Sequence, residues 1–575
     1  MHITKLFQDG AMNSLGRIAL LMLPLFSCCV DAQQADLVLR GGKIVTLDSA
    51  RPQAAALAAK DGRIIAVGDE RDIEPLIGEN TRILDLEGAL AIPGFIEGHG
   101  HLKGIGYAQM NLDLMHAANW SEIVAKVKDA AEAVAPGEWI VGRGWHQEKW
   151  DPPASPNVAG YPLHHSLSEV SPNHPVMLTH ASGHALFANA KAMELAGVDK
   201  ETQDPAGGKI LRDDTGEPIG VFEENAEELI QNAMRLSGQN RTADQKKALE
   251  KRALSLAVEE CLSKGITSFT DAGSSFDDLD LYKEMADEGS LGIRLWVMAG
   301  EGNDRLRAKL SGYKLNGYGD HHLTLGGIKR YIDGALGSRG AWLLAPYDDL
   351  PSSTGQNVLS LEALRESAEI ALEHGLQLCT HAIGDRGNRE ILDIYRDALK
   401  GSDKRWRIEH AQHLSLQDIP RFAELHVIAS MQGVHCTSDA PFVVKRLGER
   451  RAEEGAYVWK KLLESGAIVC NGTDAPVEDV DPLACLYATV TRRLKDGSAF
   501  FPDQKLSVMQ ALKTYTLSNA YATYQEEIKG SLVPGKLADI TVLSRDITAI
   551  DPSEIPKTEV RYTIVGGEIK YQRPK

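Results

Sequence analysis

Two histidines separated by a single residue, His99 and His101, follow an apolar run that contains the turn signal Pro93-Gly94. Side chains at positions i and i+2 of a strand lie on the same face, so both imidazoles can reach one metal ion. Because such a pair also arises by chance, it indicates a metal site only when other ligands accompany it.

Further ionisable residues end three other apolar runs: His381, His410 and Asp474. Imidazole and carboxylate groups are the ligands of hydrolytic zinc sites, and they are costly to bury together without a metal. The sequence therefore predicts a divalent metal site, with zinc as the expected ion.

Lys329 lies inside a fourth apolar run, between Gly327 and Asp333. A strand lysine is costly to bury unless its charge is removed or paired. Facing inward, a neutral Lys329 could take up CO₂ and become a carbamate, which binds two cations as a bridging carboxylate. Facing outward, it would be a surface lysine, and the strand considered alone favours that orientation.

Eight apolar runs that end in polar residues alternate with amphipathic helical stretches, which is typical of parallel βα units. The pattern predicts an α/β fold, a (β/α)₈ TIM barrel with its chemistry at the carboxyl ends of the strands. The runs cover residues 92–99, 266–271, 293–298, 325–333, 376–381, 406–410, 427–432 and 468–474.

The first two runs are separated by far more residues than a βα loop needs, so residues 102–264 are predicted to form a cap insertion. Short strands near both chain ends lack partners of their own, which predicts one composite β-sandwich. The predicted domains are a signal peptide at 1–32, sandwich parts at 33–91 and 526–575, and the barrel at 92–525.

The formal net charge of −18 disfavours a nucleic-acid partner, because such a surface repels phosphate. After the leader no apolar stretch reaches the roughly 20 residues of a membrane span. The expected partner is a small-molecule substrate, and the sequence leaves open whether the chain forms a homo-oligomer.

Arg17, the apolar run 18–26 and the small residues before Gln33 resemble a secretory signal, which predicts a periplasmic or secreted protein. Lipid attachment at Cys28 is the second reading, because Phe26 fits a lipid-attachment box poorly. Five cysteines remain beyond the leader and are predicted to be core thiols, because they are scattered and odd in number.

Several motifs, in order, resemble those of the amidohydrolase superfamily, in particular its YtcJ-like branch (the amidohydrolase 3 family), which includes N-substituted formamide deformylases. The motifs are PGFIEGHGHL, GRGW, GHALFAN, GIKRYIDGALGSRGAWL, HAIGDRG, RIEHAQ and NGTDAPV. The resemblance covers the chain from about Asp36 to its end. It departs from the family at Glu97-Gly98, where Asp-Ser is usual, and at Asn471-Gly472-Thr473, where Gly-Ser more often precedes the aspartate.

The resemblance implies a site of one or two metal ions. His99, His101 and Asp474 would bind the more buried ion, and His381 and His410 would bind the second. A carboxylated Lys329 would bridge the two. Many relatives work with one ion, so the metal count is left open.

The implied activity is hydrolysis of a non-peptide carbon–nitrogen bond of amide type. Metal binding lowers the pKa of water toward about 7, and Asp474 would move its proton to the leaving nitrogen. A lactone, ester or carbamate could be attacked in the same way. A deaminase would need an acid on the fifth strand that the sequence does not provide, and a catalytically silent binding relative would typically lack some of the ligands retained here.

Three residues are predicted to contact the substrate: Trp145 and His184 in the insertion, and Arg339 in the Lys329 motif. The two insertion residues are equally well explained as part of the core of the cap. The ligand motifs do not choose a substrate, because specificity resides in the residues around the metal.

Overall fold

The computed structural model of the chain describes residues 34–237 and 242–574. The predicted signal segment, residues 1–32, lies outside the described residues. In the described ranges, no helix combines the length and the apolar character that crossing a membrane requires. Five cysteines in these ranges are buried free thiols, as the sequence predicts: Cys261, Cys379, Cys436, Cys470 and Cys485.

Eight parallel strands form a nearly closed barrel, in chain order around the sheet, which confirms the predicted fold class. Their residues are almost entirely buried, because side chains fill the interior and helices cover the outside. The strands are β1 (Phe95–Gly100), β2 (Ile266–Ser274), β3 (Arg294–Ala299), β4 (Leu323–Tyr331), β5 (Gln377–Ala382), β6 (Arg407–His410), β7 (Ile428–Gln432) and β8 (Val469–Gly472).

The first predicted run, residues 92–99, is divided in the structure. Its beginning belongs to Leu90–Pro93, a strand of the composite sandwich, and β1 starts only at Phe95. Gly94 lies at the division, where a Cβ atom would come within 2.2 Å of the Thr267 hydroxyl. The chain therefore passes from one domain to the other through a residue that has no space for a side chain.

Helices surround the barrel and follow its strands in the order expected of βα units. They are Leu102–Met110, Ala243–Ser263, Phe276–Asp287, Asn303–Lys309, Tyr318–His321, Leu361–His374, Asp385–Leu399, Ile419–Glu424, Gly433–Leu447, Glu449–Gly455, Trp459–Glu464, Pro482–Thr491, Val508–Thr514 and Leu517–Ala522.

The seam between β1 and β8 is closed by individual hydrogen bonds. The Asp474 amide donates to the His99 carbonyl at 2.8 Å, and the His101 amide donates to the Ala475 carbonyl at 2.7 Å. Deeper in the barrel, the buried amide of Asn519 donates to the carbonyl of Ile96 at 2.6 Å and to that of Asn471 at 2.9 Å. A side chain thus joins the first and last strands of the barrel.

Glu97 completes the seam. Its carboxylate accepts the Thr473 amide at 2.6 Å and the hydroxyls of Thr473 and Tyr515, each at 3.1 Å. Burial raises the pKa of Glu97 to about 8. The adjacent Gly98 has no space for a Cβ, which would lie 2.4 Å from the Asn471 carbonyl oxygen. The Glu-Gly pair that departs from the family motif is thus fitted to this seam.

Both ends of the chain contribute to the composite sandwich. Leu90–Pro93 pairs antiparallel with Ile540–Leu543, and the two sheets enclose a common apolar core. The six-stranded sheet has the order Glu568–Gln572, Val560–Val565, Ile540–Leu543, Leu90–Pro93, Lys43–Val45, Gln53–Ala54. The four-stranded sheet has the order Arg63–Gly68, Ala56–Lys60, Leu37–Arg40, Arg82–Asp85, with the short helix Glu70–Ile73 beside it.

The insertion between β1 and β2 forms a cap with its own sheet and its own apolar clusters. Its six strands have the order Gly208–Arg212, Pro218–Glu224, Ala185–Ala188, Val176–His180, Ile140–Trp145, Leu112–Asp113. A small hairpin pairs Asn157–Val158 with Tyr161–Pro162. The cap helices are Trp120–Ala133, His165–Val170, Ala190–Ala196 and Glu227–Ser237.

Candidate metal centre

A cavity of about 450 Å³ lies between the carboxyl ends of the barrel strands and the cap. Its barrel side is formed by His101, Lys329, His381, His410 and Asp474, together with Tyr331. Its cap side includes Arg143, His180 and His184. The structure therefore brings residues from five barrel strands or the loops that follow them to one enclosed space.

Three predicted ligands form a tight group at the floor of this cavity. One donor atom each of His99, His410 and Asp474 can be chosen so that all three lie within 4.8 Å of one another. His101 adjoins the group, with Nε2 3.2 Å from Asp474 Oδ1. The group combines His410 with His99 and Asp474, which the family resemblance assigns to different ions.

Lys329 and His381 flank the group. The Lys329 side chain faces inward, is 2% exposed, and its Nζ donates to His99 Nε2 at 3.2 Å. The His381 ring lies 4.4 Å from the His410 ring, measured between centroids. Tyr331, two residues after Lys329, adjoins both Lys329 and His381. Its ring centroid lies 4.7 Å from Lys329 Nζ and 5.3 Å from the centroid of the His381 ring.

A buried chain of hydrogen bonds fixes the His99 ring. His99 Nδ1 donates to Glu409 Oε2 at 2.5 Å, and Arg407 Nε donates to the other carboxylate oxygen at 2.7 Å. All three side chains are fully buried. Because Nδ1 is used in this way, Nε2 is the atom left to bind a metal, an arrangement common behind metal-binding histidines.

His410 is held in the same manner by a neutral partner. Its Nδ1 donates to Gln432 Oε1 at 2.8 Å, and the Gln432 amide group in turn donates to the Ser430 carbonyl at 3.1 Å. The second bond fixes which end of the glutamine faces the histidine, so Nε2 of His410 is left free.

Two ligands have strained backbone. His410 has φ of +75° and Asp474 has φ of +59°, in the left-handed region that residues other than glycine seldom adopt. Each lies where its strand ends and the chain turns. Strain of this kind is common at functional sites, where surrounding contacts impose it.

The histidines of the floor are held in the neutral form. Burial, assisted by the charge of Lys329, lowers the pKa of His99 to about 4. Burial also lowers the pKa values of His381 and His410 well below the ordinary value. Burial alone would raise the pKa of Asp474, but the neighbouring histidines, His101 first among them, lower it well below its usual range.

This donor set fits a divalent cation. Asp474 Oδ1 and His381 Nε2 are buried and lack a hydrogen-bond partner among the described residues, although such atoms are costly to leave unpaired. Neutral imidazoles and a carboxylate are the protonation states that metal binding requires. A cation on this floor would satisfy the unpaired oxygen and balance its charge.

Asp333, two residues after the end of β4, anchors the loop after β5. Its carboxylate accepts the amides of Ile383 at 3.0 Å, Gly384 at 2.8 Å and Trp342 at 2.8 Å. It lies 3.6 Å from His381 Nε2, beyond hydrogen-bond distance. Burial raises the pKa of Asp333 to about 7, and the hydrogen bonds from the three backbone amides oppose that rise.

The three predicted substrate contacts lie in different places. His184 lines the cavity, with Nδ1 3.0 Å from Glu224 Oε2. Trp145 is fully buried among aromatic side chains of the cap, and its indole N–H donates to the Leu178 carbonyl at 2.8 Å. Arg339 makes an ion pair with Asp349 at 2.9 Å and lines a separate cavity.

The sequence did not predict the residues that hold the proposed ligands and the cavity wall in place. Arg407 and Glu409 are charged residues inside an apolar strand, which was the available signal, but nothing in their spacing relates them to His99. Gln432 and Arg143 carried no comparable signal. Long-range contacts of this kind depend on how the strands are placed around the barrel.

The sequence from residue 82 to residue 571 matches the model of the family described as "Amidohydrolase family". Among curated proteins, the chain is 34% identical to Protein LONG AFTER FAR-RED 3 of Arabidopsis thaliana, over 93% of this chain and 92% of that protein. It is 31% identical to the putative amidohydrolase YtcJ of Bacillus subtilis, over 93% and 99%. It is 27% identical to the N-substituted formamide deformylase of Arthrobacter pascens, over 94% and 99%.

Among solved structures, the fold is similar to that of an uncharacterized metal-dependent hydrolase from Pyrococcus horikoshii, with a TM-score of 0.71. The identity is 26%, and the match covers 90% of this chain and 99% of that one. The family match, the relatives and the barrel lead to one conclusion. The chain belongs to the amidohydrolase family, in the branch that contains YtcJ and the formamide deformylase.

Proposed function

We propose that this protein is a metal-dependent hydrolase that uses water to cleave a non-peptide carbon–nitrogen bond, of amide type, in a small molecule. The observation that carries the proposal is the floor of the cavity, where His99 and His410 converge on Asp474 and the buried Oδ1 of Asp474 lacks a hydrogen-bond partner among the described residues. The name of the Arthrobacter relative, a formamide deformylase, supports amide chemistry.

The metal that we propose is zinc, as one or two ions held by His99, His101, His381, His410 and Asp474. When bound, such an ion supplies Lewis acidity and makes water a nucleophile near neutral pH. In this proposal Lys329 contributes as a carbamate, formed when its neutral amine attacks CO₂ and releases a proton. Burial lowers the pKa of Lys329, which favours the neutral amine.

The chain's own residues then handle the proton. Asp474, whose Oδ1 lies 3.2 Å from His101 Nε2 and 3.6 Å from His99 Nε2, is ionised and can accept a proton from water. It returns that proton to the leaving nitrogen. The Glu409–Arg407 pair keeps His99 in one orientation throughout, and the cap encloses the cavity in which the bond is cleaved.

A panel of substrates tests the proposal. We expect the purified, zinc-loaded protein to hydrolyse one or more N-acyl amines, N-acyl amino acids or lactams. Asp474→Asn should lower kcat by about 10²- to 10⁴-fold, the usual contribution of a general base, with zinc still bound. An Asp474→Asn protein with undiminished turnover would contradict the assignment.

The same panel includes lactones, esters and carbamates, which a site of this kind can also attack. Faster turnover of a lactone than of every amide would replace the proposal by an esterase-type hydrolase. Stoichiometric zinc without turnover of any member would instead support a catalytically silent binding protein.

The bridging role of Lys329 has its own test. Lys329→Ala should lose the second ion and most of the activity, and short carboxylic acids should partly restore both by occupying the vacated bridge. Metal analysis and initial rates with and without added acid measure the effect. Full activity of the variant with a single ion would show that no bridge is needed.

We also propose that residues 1–32 direct export. Intact-mass measurement of protein from the periplasm should give an amino terminus near Gln33. Full-length protein recovered from the cytoplasm would contradict this proposal.

A further inference from the structure

Two side chains of the cap, Arg143 and His184, line the cavity wall across from the metal-binding floor. Neither belongs to the predicted ligand set. Arg143 lies on the cap strand Ile140–Trp145, and His184 lies between the strands Val176–His180 and Ala185–Ala188. Arg143 Nη1 and His184 Nε2 have no hydrogen-bond partner among the described residues.

Arg143 is held in place but is not neutralised. Its Nε donates to the Pro476 carbonyl at 3.2 Å, and its Nη2 donates to the Ala181 carbonyl at 3.1 Å. Among the described residues it makes no ion pair, and its Nη1 has no acceptor.

His184 is oriented by Glu224 through two contacts. Its Nδ1 donates to Glu224 Oε2 at 3.0 Å, and its carbonyl accepts the Glu224 amide at 3.1 Å. These contacts leave Nε2 without a partner on a ring whose centroid lies 6.3 Å from that of His381. The charge of Glu224 raises the pKa of His184 although burial opposes it.

The carboxylates around the cavity have other partners. Glu478 accepts a hydrogen bond from Ser438, and Asp439 accepts the Tyr457 hydroxyl at 2.6 Å. Asp474 belongs to the metal-binding floor. Behind the cap wall, burial raises the pKa of Glu227 to about 8, so this neighbour is largely uncharged at neutral pH. Arg143 therefore has no ion-pair partner among the described residues, and the acidic group that acts on it most is Asp474.

We propose, resting on the proposed amide hydrolysis, that Arg143 and His184 form an anion-binding wall that selects amides carrying a carboxylate away from the scissile bond. The fixed guanidinium edge suits a planar anion, and a desolvated cation gains most from an ionised partner. The substrate class is then that of N-acyl amino acids and related acylated amino acids.

The test compares N-acetylphenylalanine with its primary carboxamide, both as racemates, on zinc-loaded protein. The wild type should prefer the acid in kcat/KM. Arg143→Met should lower the acid-to-amide ratio by about 10- to 100-fold, the usual loss for a hydrogen bond to a charged group. Arg235→Met, at an exposed cap arginine, is the matched control and should leave the ratio unchanged.

His184→Gln keeps a donor but removes the ring, and it should lower the same ratio by about 3- to 10-fold. It also tests the wall if Arg143→Met fails to fold. Equal losses on acid and carboxamide in the folded variants would overturn the proposal, because the residues would then serve a step common to both substrates.

A binding measurement separates failure of this inference from failure of the proposed function. Calorimetric titration of the two probes into wild type and Arg143→Met, at matched zinc content, needs no turnover. Preferential binding of the acid that Arg143→Met abolishes would support the wall even if no amide is hydrolysed. Equal binding of acid and carboxamide by the wild type would overturn it.

Discussion

The barrel floor and the cap each bury a glutamate, and they treat it in opposite ways. Glu409 on β6 lies between Arg407 at 2.7 Å and His99 at 2.5 Å, and Arg407 and His99 lower its pKa although burial opposes them. Glu227 in the cap has a glutamine donor at 3.2 Å, and burial raises its pKa to about 8. A charged partner at hydrogen-bond distance decides whether a buried carboxylate stays ionised.

The difference matches what each region does. On the floor, the negative charge of Glu409 fixes the ring of His99, a proposed metal ligand, so that role requires the charge to persist. In the cap, an uncharged Glu227 leaves the positive charge of Arg143 for the cavity. Three substitutions test this comparison.

The largest effect is expected for Arg407→Met, which leaves Glu409 buried without its guanidinium. Removing one partner of a buried ion pair typically costs about 3–5 kcal/mol of unfolding free energy. Urea unfolding measures the loss. The double variant Arg407→Met with Glu409→Gln removes the stranded charge and should recover much of it. A single variant as stable as the wild type would show that His99 alone satisfies Glu409.

Glu409→Gln should leave the fold intact and weaken metal binding. Loss of the carboxylate behind a metal-binding histidine usually lowers affinity by about 10- to 100-fold. Zinc titration against a competing chelator measures this effect, with Glu424→Gln, at an exposed helix end, as the control. If zinc affinity does not change, the carboxylate does not tune His99.

The smallest expected effect concerns how the contribution of the cap residue Glu227 to stability depends on pH. Because the pKa of Glu227 in the folded protein, about 8, lies above its ordinary value of 4.5, the folded state binds more protons than the unfolded state between these pH values. Stability from this group is therefore lost as pH rises from about 4.5 to 8.

Glu227→Gln removes that dependence. The variant should gain on the order of 1 kcal/mol relative to the wild type between pH 6 and pH 9. Thermal unfolding of both proteins at the two pH values measures the gain. A constant difference would indicate that Glu227 is ionised in the cap, contrary to the comparison with Glu409.

Much of the barrel was predictable because its strands are nearly continuous apolar runs that end in ionisable residues. Seven of the predicted runs, such as 266–271 and 427–432, agree with β2 to β8 to within a few residues at each end. The first was misjudged because residues 92–99 read as one apolar segment. The close approach of Thr267 to Gly94, which separates the two strands, is a tertiary contact and leaves no local pattern.

The candidate site was predictable as a set of residues but not as an arrangement. The strand considered alone favoured an outward-facing Lys329, whereas the side chain faces inward. A strand of known sequence does not reveal which face is interior when both faces are buried. Trp145 read equally well as a pocket wall or as cap core, and it packs with the other aromatic residues of the cap. The pairing of His99 with Glu409 joins residues 310 positions apart, which no spacing rule predicts.

The seam has a consequence for how the molecule acquires its metal. The hydrogen bond from Asn519 to Ile96 spans 423 residues, and Glu97 reaches Thr473 across 376. Contacts so distant along the chain are slow to form, because loop-closure entropy opposes them until the segments between have ordered. We expect His99 and Asp474 to meet only late in folding, so newly made chains should capture zinc after most of the barrel has assembled, and not use it as a nucleus.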